Sequence, residues 1–516
     1  MDRNQFTDIL TRCHNIIRDN DKLSPEAAFD ETSKILFIKI QRERADGKTY
    51  TMADYLQEKS NYQKKYAIDN TPYYQFMFRQ TKDKYKDEEI FDDYDTIRIR
   101  EHSFESIISC LEAMNLATTN DDVKGIAFES FLGKTFRGEL GQFFTPRVVV
   151  NFMVSVLHPT ENMLVCDPCC GSGGFLISVF DEIRKQIEET PRLAEIDKKE
   201  RVRRLSTSCL FGVDANARMA RVAKMNMIMH GDGHTCVYHH DGLLNINGVY
   251  ENRFDMILTN PPFGSRVNKN LIISDAERFT DEGKKQRNIE IYGDSYIKAM
   301  AQVESNIGKP LLSLFETGSY TNISEVLFIE RCLNLLKPGG RMGIVLPEGV
   351  LSNENLHAVR EYVESRARIL FIVALPKDVF LSAGAAVKSS IVFLRKFSKS
   401  EEEKYRVVLK DVTNAVNEKY VSALLALKKE QRGLIDRKAK SACRERTDKL
   451  EKQIHEETIK AVRERLNYSI ARAVFGRDEK NPVCVDLDEE LKKLVEEYHQ
   501  FASQQKVQSN DLYPAI

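Results

Sequence analysis

An α/β fold built on a doubly wound, mainly parallel sheet is what this sequence predicts, and three observations carry the prediction. From Met163 to Arg395, short apolar runs alternate with helix-length segments, the pattern of strand–helix crossovers. One run, Met163-Leu-Val-Cys166, leads through Asp167-Pro-Cys-Cys-Gly171-Ser172-Gly173-Gly174 into an apolar helix, a strand–glycine-loop–helix unit. Another, Phe254 to Thr259, stops at Asn260-Pro261-Pro262-Phe263-Gly264, where two prolines end any strand ladder.

Composition bounds the rest. The chain has 516 residues, 42% hydrophobic and 30% charged, which suits a globular protein with a large core. Lys and Arg number 76 against 77 Asp and Glu, so the formal net charge is −1. A dedicated DNA-binding domain is usually clearly basic, so any nucleic-acid contact must rest on local patches or on a partner. No apolar run approaches the ~18 residues of a membrane span, and Met1-Asp2-Arg3-Asn4-Gln5 opens no signal-peptide core. A cytoplasmic location without membrane attachment is expected. Ten cysteines in so long a chain fit reduced thiols. Cys166 and Cys169 form a CxxC, but zinc would want a second pair, and the sequence offers none, so no metal is expected.

Residues 1–120 read as a helical N-terminal domain. The apolar segment from Phe29 to Ile40 has charged flanks and predicts an amphipathic helix. The aromatics Tyr73, Tyr74, Phe76 and Phe78 stand among Lys and Arg; such rings can stack bases, but a helical core is the simpler reading. Gly125 to Leu132 predicts a short helix. A loop follows, Gly138-Glu-Leu-Gly141-Gln142-Phe143-Phe144-Thr145-Pro146-Arg147. Thr145 is the expected N-cap and Pro146 the first residue of an apolar helix to Leu157. Free N–H groups at such a helix start suit a carboxylate.

The catalytic region is expected over 121–397. Gly171, Gly173 and Gly174 let the backbone approach a ligand without Cβ interference. The next strand, Cys209 to Val213, ends at Asp214, which is well placed for ribose hydroxyls. The spacing from the glycines is about twice the usual ~20 residues, because the charged stretch 184–204 intervenes as an exposed helical insertion. His239-His240-Asp241-Gly242 closes a third strand, and Asp241 can meet an adenine amino group. The two histidines read as solvated loop residues. At Asn260, the side-chain Oδ1 and the Pro261 carbonyl can accept both hydrogens of an exocyclic amine, and Phe263 can stack on its ring. Taken alone, the stretch also reads as a Pro-rich turn with a packed Phe.

Residues 265–322 form a polar insertion, either one wall of a substrate cleft or a loop without order. Helices at 323–336 and 356–367 then alternate with strands at 341–346, 369–375 and 387–395. The C-terminal region, 398–516, opens on a last strand, Tyr405 to Leu409. It continues as a charged helical hairpin over 421–466 that suits a subunit contact.

Asp167-Pro-Cys-Cys-Gly-Ser-Gly-Gly-Phe together with Asn260-Pro-Pro-Phe resembles the N6-adenine DNA methyltransferases that use S-adenosylmethionine. More closely, the chain resembles the modification subunit of type I restriction–modification systems. The resemblance extends to Gly141-Gln-Phe-Phe-Thr-Pro-Arg147 and to the stretch from Phe328 to Pro347, and covers roughly residues 10–395. It implies that Gln142, Phe143, Phe144, Thr145, Pro146 and Arg147, with Asp167, Gly171, Ser172, Gly173 and Gly174, hold the cofactor at its methionine end. Asp214 would hold the ribose and Asp241 the adenine edge. Asn260, Pro261, Pro262 and Phe263 would hold a flipped target adenine. The implied partners are double-stranded DNA, a specificity subunit and a restriction (helicase–nuclease) subunit, with two copies of this chain per assembly. Competing readings are a methyltransferase of another planar amine or amide, cytosine N4 included, and a scaffold that keeps the fold without turnover.

Overall fold

In a computed structural model, the residues described are 3–66, 71–86, 90–119, 125, 128, 131, 145–231, 236–376, 379–380 and 387–466. The chain opens with helices α1 (Arg3–Asp21), α2 (Pro25–Asp46), α3 (Met52–Lys65), α4 (Tyr73–Lys84) and α5 (Glu101–Leu111). The one-sided helix expected at 29–40 is instead the centre of this bundle: α2 is buried all round from Glu31 to Ile40. Its charges survive there because they pair internally, Lys34 with Glu31 at 2.6 Å and Lys39 with Glu43 at 2.6 Å. Tyr73, Tyr74 and Phe78 are core residues, as the simpler reading held. Of the helix expected at 125–132, only Gly125, Phe128 and Phe131 lie among the described residues; both rings pack on Phe29.

The second layer system begins with α6 (Arg147–Leu157), β1 (Val165–Asp167), α7 (Gly174–Glu188), α8 (Glu195–Ser208), β2 (Leu210–Asp214), α9 (Ala217–Met229), β3 (Cys236–His239) and β4 (Phe254–Thr259). It continues through α10 (Glu282–Tyr292), α11 (Asp294–Glu304), α12 (Ser324–Leu335), β5 (Leu336–Pro347), the short α13 (Glu348–Ser352), α14 (His357–Glu364), β6 (Ala367–Ala374) and β7 (Ser389–Lys396). The strand order is β3-β2-β1-β4-β5-β7-β6. The pairs from β3 to β5 are parallel, while β7 runs antiparallel to both β5 and β6. From β1 the chain winds first toward β3, then crosses back to β4. The boundary between β1 and β4 is therefore the topological switch point, where a crevice opens at the carboxyl ends of the strands. The glycine loop follows β1 and Asn260 follows β4, so this order places them side by side.

The N-terminal bundle packs on the outer face of α9 through Met219, Val222, Met225, Ile228 and Met229. Arg221 reinforces that contact with Asp30 at 2.6 Å and Asp95 at 2.7 Å.

Residues 265–322 are folded and form a wall. Val267 N–H donates to Asn322 O at 2.9 Å and Leu311 N–H to Leu271 O at 2.8 Å. Buried Ile273, Leu311 and Phe315 share a small core with Leu243, Leu244, Leu327 and Phe328. Buried Glu330 of α12 takes the N–H groups of Glu316 and Thr317 at 2.9 and 2.8 Å.

The strand expected at 405–409 is not formed. Ser398 and Glu401 make a capping box that starts α15 (Lys399–Gly433), and the segment lies in its second and third turns. Tyr405, Val408, Leu409, Val412 and Val416 lie at helical spacing and face Val462 and Leu466 of α16 (Arg437–Leu466). The expected hairpin is present, but it begins well before residue 421. It docks on α14 through Glu361–His455 at 2.8 Å and Glu364–Arg463 at 2.6 Å. The segment from 467 on lies outside the described residues. No helix among them is long and apolar enough to cross a membrane.

Candidate active site

At the switch point lies a cleft of about 960 Å³. Its lining includes Gly171, Asp214, Asp241, Asn260, Pro261, Pro262 and Phe263, so seven of the residues singled out from the sequence converge there. Pro168, Cys169, Asn216, Met219, Arg266, Phe328 and Phe380 complete much of the wall.

The floor is built by β1 and β2. Asp214 ends β2, and its two oxygens accept the N–H groups of Gly171 at 3.0 Å and Asn216 at 2.8 Å. The carboxylate thus clamps the glycine loop to the start of α9. Burial raises the Asp214 pKa, although both N–H donors oppose the shift. Asn216 caps α9, its Oδ1 accepting from Arg218 N and Met219 N. Asp241 accepts from Leu243 N at 3.0 Å. A Cβ on the adjacent Gly242 would stand 1.9 Å from Pro168 O, so only glycine lets this loop lie against the glycine loop.

Not every glycine faces the cleft. Gly171 has φ +53° and open space where a Cβ would point. Gly173 has φ +82°, but its Cβ would meet Ala223 at 3.3 Å, so its role is the turn into α7 and the packing on α9. Ser172 turns its carbonyl to Asn226 Nδ2 at 3.1 Å. Asp167 is 1% exposed and lies behind the cleft. It accepts Thr259 Oγ1 at 2.7 Å and Cys169 N at 3.2 Å, bracing the end of β1 against the end of β4. Burial pushes its pKa up to about 7. The structure therefore makes Asp167 a brace.

The fourth side is the Asn260 turn. Asn260 Nδ2 donates to Thr145 Oγ1 at 3.0 Å. This fixes the amide plane and turns Oδ1 inward, where it is buried with no hydrogen-bond partner among the described residues. Thr145 was expected to cap α6, but that helix starts at Arg147 without a side-chain cap; the Thr145 hydroxyl serves Asn260 instead. Arg147 reaches toward Asp181 of α7 at 3.4 Å. Gln142, Phe143 and Phe144 lie outside the described residues. Phe263 meets Phe380 edge to face at 6.0 Å, which leaves an aromatic corner beside Asn260.

His240 is not solvated as expected. Its Nε2 lies 2.5 Å from Glu277 Oε2 in the 265–322 wall, and its Nδ1 lies 3.1 Å from Asp241 O. Burial lowers the His240 pKa, but the Glu277 pairing outweighs it and the net shift is upward. The partner stands too far along the chain to be read from the sequence. Other residues were missed as well. Phe328 and Phe380 carry no local motif, whereas Asn216 had a readable signal, an N-cap residue just after a strand-end acid.

A family described as N-6 DNA Methylase matches residues 119–316 and 313–481, which takes in the seven-stranded sheet and the helical hairpin. The Escherichia coli "Type I restriction enzyme EcoEI methylase subunit" is 26% identical over 267 residues, 51% of this chain and 44% of that protein. The Salmonella typhimurium LT2 "Type I restriction enzyme StySJI methylase subunit" is 22% identical over 417 residues, 77% of this chain and 68% of that one. The chain thus spans under half of the EcoEI relative and two thirds of the StySJI one. Among solved structures, a Vibrio vulnificus YJ016 chain, described as a modification subunit assigned to a type I restriction enzyme, superposes with TM-score 0.52. It is 18% identical, and the match covers 77% of this chain and 82% of that one. At that identity the likeness speaks for the fold alone. The glycine loop, the strand-end acids and the Asn260 turn therefore sit in the fold expected of them, and the chain belongs to the N-6 DNA Methylase family.

Proposed function

We propose that this chain transfers a methyl group from S-adenosylmethionine to the exocyclic N6 amine of an adenine in DNA. In this reading it is the modification subunit of a type I restriction–modification system. The observation that carries it is the Asn260 Oδ1, a buried acceptor with no partner among the described residues, on a side chain that lines the cleft. Leaving such an atom unpaired costs about 1–3 kcal/mol, a cost relieved by a ligand N–H.

The residues present fit the cofactor. Asp214 offers a buried carboxylate to ribose hydroxyls, Asp241 an acceptor to an adenine amine, and Gly171 open space beside both. When bound, S-adenosylmethionine supplies an electrophilic methyl on a sulfonium. The chain's own part is alignment and electrostatics. An exocyclic amine lends its lone pair to the ring and is a weak nucleophile. Asn260 Oδ1 and the Pro261 carbonyl each accept one amine hydrogen, which favours a more tetrahedral nitrogen and relieves the charge it gains. Pro261 has no N–H to compete for that carbonyl's surroundings. Phe263 and Phe380 present the apolar corner for the ring, and the base must leave the duplex to reach it. No strong general base is required.

The pocket distinguishes adenine from other bases but not one adenine from the next. With a net charge of −1, the chain alone is expected to bind DNA weakly, and target choice falls to a specificity subunit docked on the helical parts, the hairpin of α15 and α16 included. A restriction subunit, two copies of this chain and a cytoplasmic location complete the proposal. The test is Asn260→Ala. Methyl transfer to DNA is expected to vanish while S-adenosylmethionine binding, read by calorimetry, is kept; an unchanged transfer rate would refute the assignment.

A further inference from the structure

The Asn260 turn has no secondary structure of its own to hold it, yet methyl transfer depends on where it stands. What holds it is the first turn of α12. Both oxygens of Glu325 accept the N–H of Gly264, at 3.1 and 3.2 Å. Ser324 Oγ donates to Pro262 O at 3.0 Å, and Ser324 N–H to Ser265 O at 3.0 Å. Gly264 itself is in the left-handed region with φ +68°, so its N–H points back at the helix.

Two turns further along the same helix, Arg331 holds the other loop. Its guanidinium donates to Gly242 O at 3.0 Å, Asn245 Oδ1 at 2.7 Å and Leu244 O at 2.6 Å. These are all neutral oxygens, and Arg331 is 3% exposed. A cation buried among neutral acceptors is a costly way to gain stability. It does fix the loop that carries Asp241. Positions 324, 325, 328 and 331 share one helix face, and Phe328 between the two ends lines the cleft. At 1.5 Å rise per residue, the two holding points are about 9 Å apart on one rigid rod.

We propose that Glu325 is a positioning residue for methyl transfer, setting the Asn260 turn from one end of α12 while Arg331 sets the Asp241 loop from the other. The proposal rests on the adenine methyltransferase reading above. Reaction needs the acceptor nitrogen within roughly 3–3.5 Å of the methyl carbon, and about 1 Å of displacement costs on the order of 100-fold in rate. A single helix bound to both loops keeps that distance from drifting.

The experiment uses the protein purified from its source cells with the chains that accompany it. Single-turnover labelled-methyl transfer to unmethylated genomic DNA, S-adenosylmethionine affinity and melting temperature are measured for Glu325→Ala, Glu325→Gln, Ser324→Ala and Arg331→Lys. Glu325→Ala is expected to slow transfer on the order of 10- to 100-fold at unchanged cofactor affinity. Glu325→Gln keeps an oxygen for the Gly264 N–H and is expected to restore most of the rate. Arg331→Lys replaces a fork by a point donor and is expected to weaken cofactor binding several-fold. Ser324→Ala, which removes the hydroxyl's bonds to Pro262 O, Ser265 Oγ and Glu325 Oε2, is expected to slow transfer several-fold even if Glu325→Ala does not fold. A wild-type rate in Glu325→Ala or Ser324→Ala overturns the proposal. So does a Gln variant as slow as the Ala variant, or a rate loss that merely follows cofactor affinity or melting temperature. An inactive wild-type complex would instead contradict the function proposed above.

Discussion

Thr145→Val probes how Asn260 is aimed. The wild-type amide is held by one described bond, Nδ2 to Thr145 Oγ1 at 3.0 Å. Valine keeps the side chain's shape and removes the acceptor. The part-buried Nδ2 then loses its partner, and the amide can flip so that Nδ2, not Oδ1, meets the target amine. Losing a part-buried bond costs about 0.5–1.5 kcal/mol, which corresponds to roughly 2- to 13-fold in rate if the whole cost is felt in the transition state. Thr145→Ser keeps the hydroxyl and is expected to stay within about threefold of wild type. The assay is single-turnover methyl transfer with saturating DNA, beside cofactor affinity by calorimetry. The valine variant should lose rate and keep affinity. A valine variant as fast as wild type would show that Thr145 does not orient Asn260. A loss of cofactor affinity equal to the loss of rate would place Thr145 in the cofactor site instead.

Gly242→Ala is expected to cost both stability and cofactor affinity, because its Cβ would stand 1.9 Å from backbone oxygen Pro168 O; a variant with wild-type melting and affinity would contradict the close approach. Burial raises the Asp214 pKa, and ribose hydroxyls need its ionised form. S-adenosylmethionine affinity should therefore fall as pH drops through that raised value, and Asp214→Asn should flatten the profile; a profile unchanged in the variant would remove Asp214 from the ribose site. The His240–Glu277 pair ties the 265–322 wall to the Asp241 loop, with the His240 pKa raised and the Glu277 pKa lowered. Its contribution is lost as pH rises through the raised histidine value and again as pH falls through the lowered glutamate value. Hydrogen exchange in residues 273–280 should be slowest between those limits, and the dependence should vanish in His240→Gln. Equal exchange in both proteins at every pH would rule the pair out as a tether.

What the sequence disclosed depended on whether the backbone or the side-chain direction was at stake. Prolines 261 and 262 and the strand-end acids mark where strands stop, and strand ends gather at one edge, so Asp214, Asp241 and Asn260 were legible as a group. Asp167 is also a strand-end acid, yet its side chain points behind the cleft; only the pleat and the neighbouring Thr259 decide that. Gly173 was read for close approach to a ligand, and its structure adds a left-handed turn and a close approach to Ala223, because all of these call for the same residue. The helix around Ile35 looked one-sided because Glu31, Lys34, Lys39 and Glu43 are charged; their pairing within the same helix let all four be buried. Tyr405 to Leu409 had strand-like composition, but the capping box at Ser398 and the apolar spacing toward α16 favoured a helix. The hidden part of the site is long-range. His240 finds Glu277, Asn260 finds Thr145 and Gly264 finds Glu325, pairs that no local pattern announces. The one available hint was charge within an otherwise apolar helix, at Glu325, Glu330 and Arg331.

The central claim is that Asn260 presents an adenine N6 amine for methylation. The most direct measurement is to incubate the protein, with the chains that accompany it, with methyl-labelled S-adenosylmethionine and unmethylated genomic DNA, then digest the DNA and identify the labelled nucleoside by mass spectrometry. The account predicts label in N6-methyladenine alone, and none in the same preparation carrying Asn260→Ala. Label in N4-methylcytosine, label only in protein, or label that persists in Asn260→Ala would contradict it.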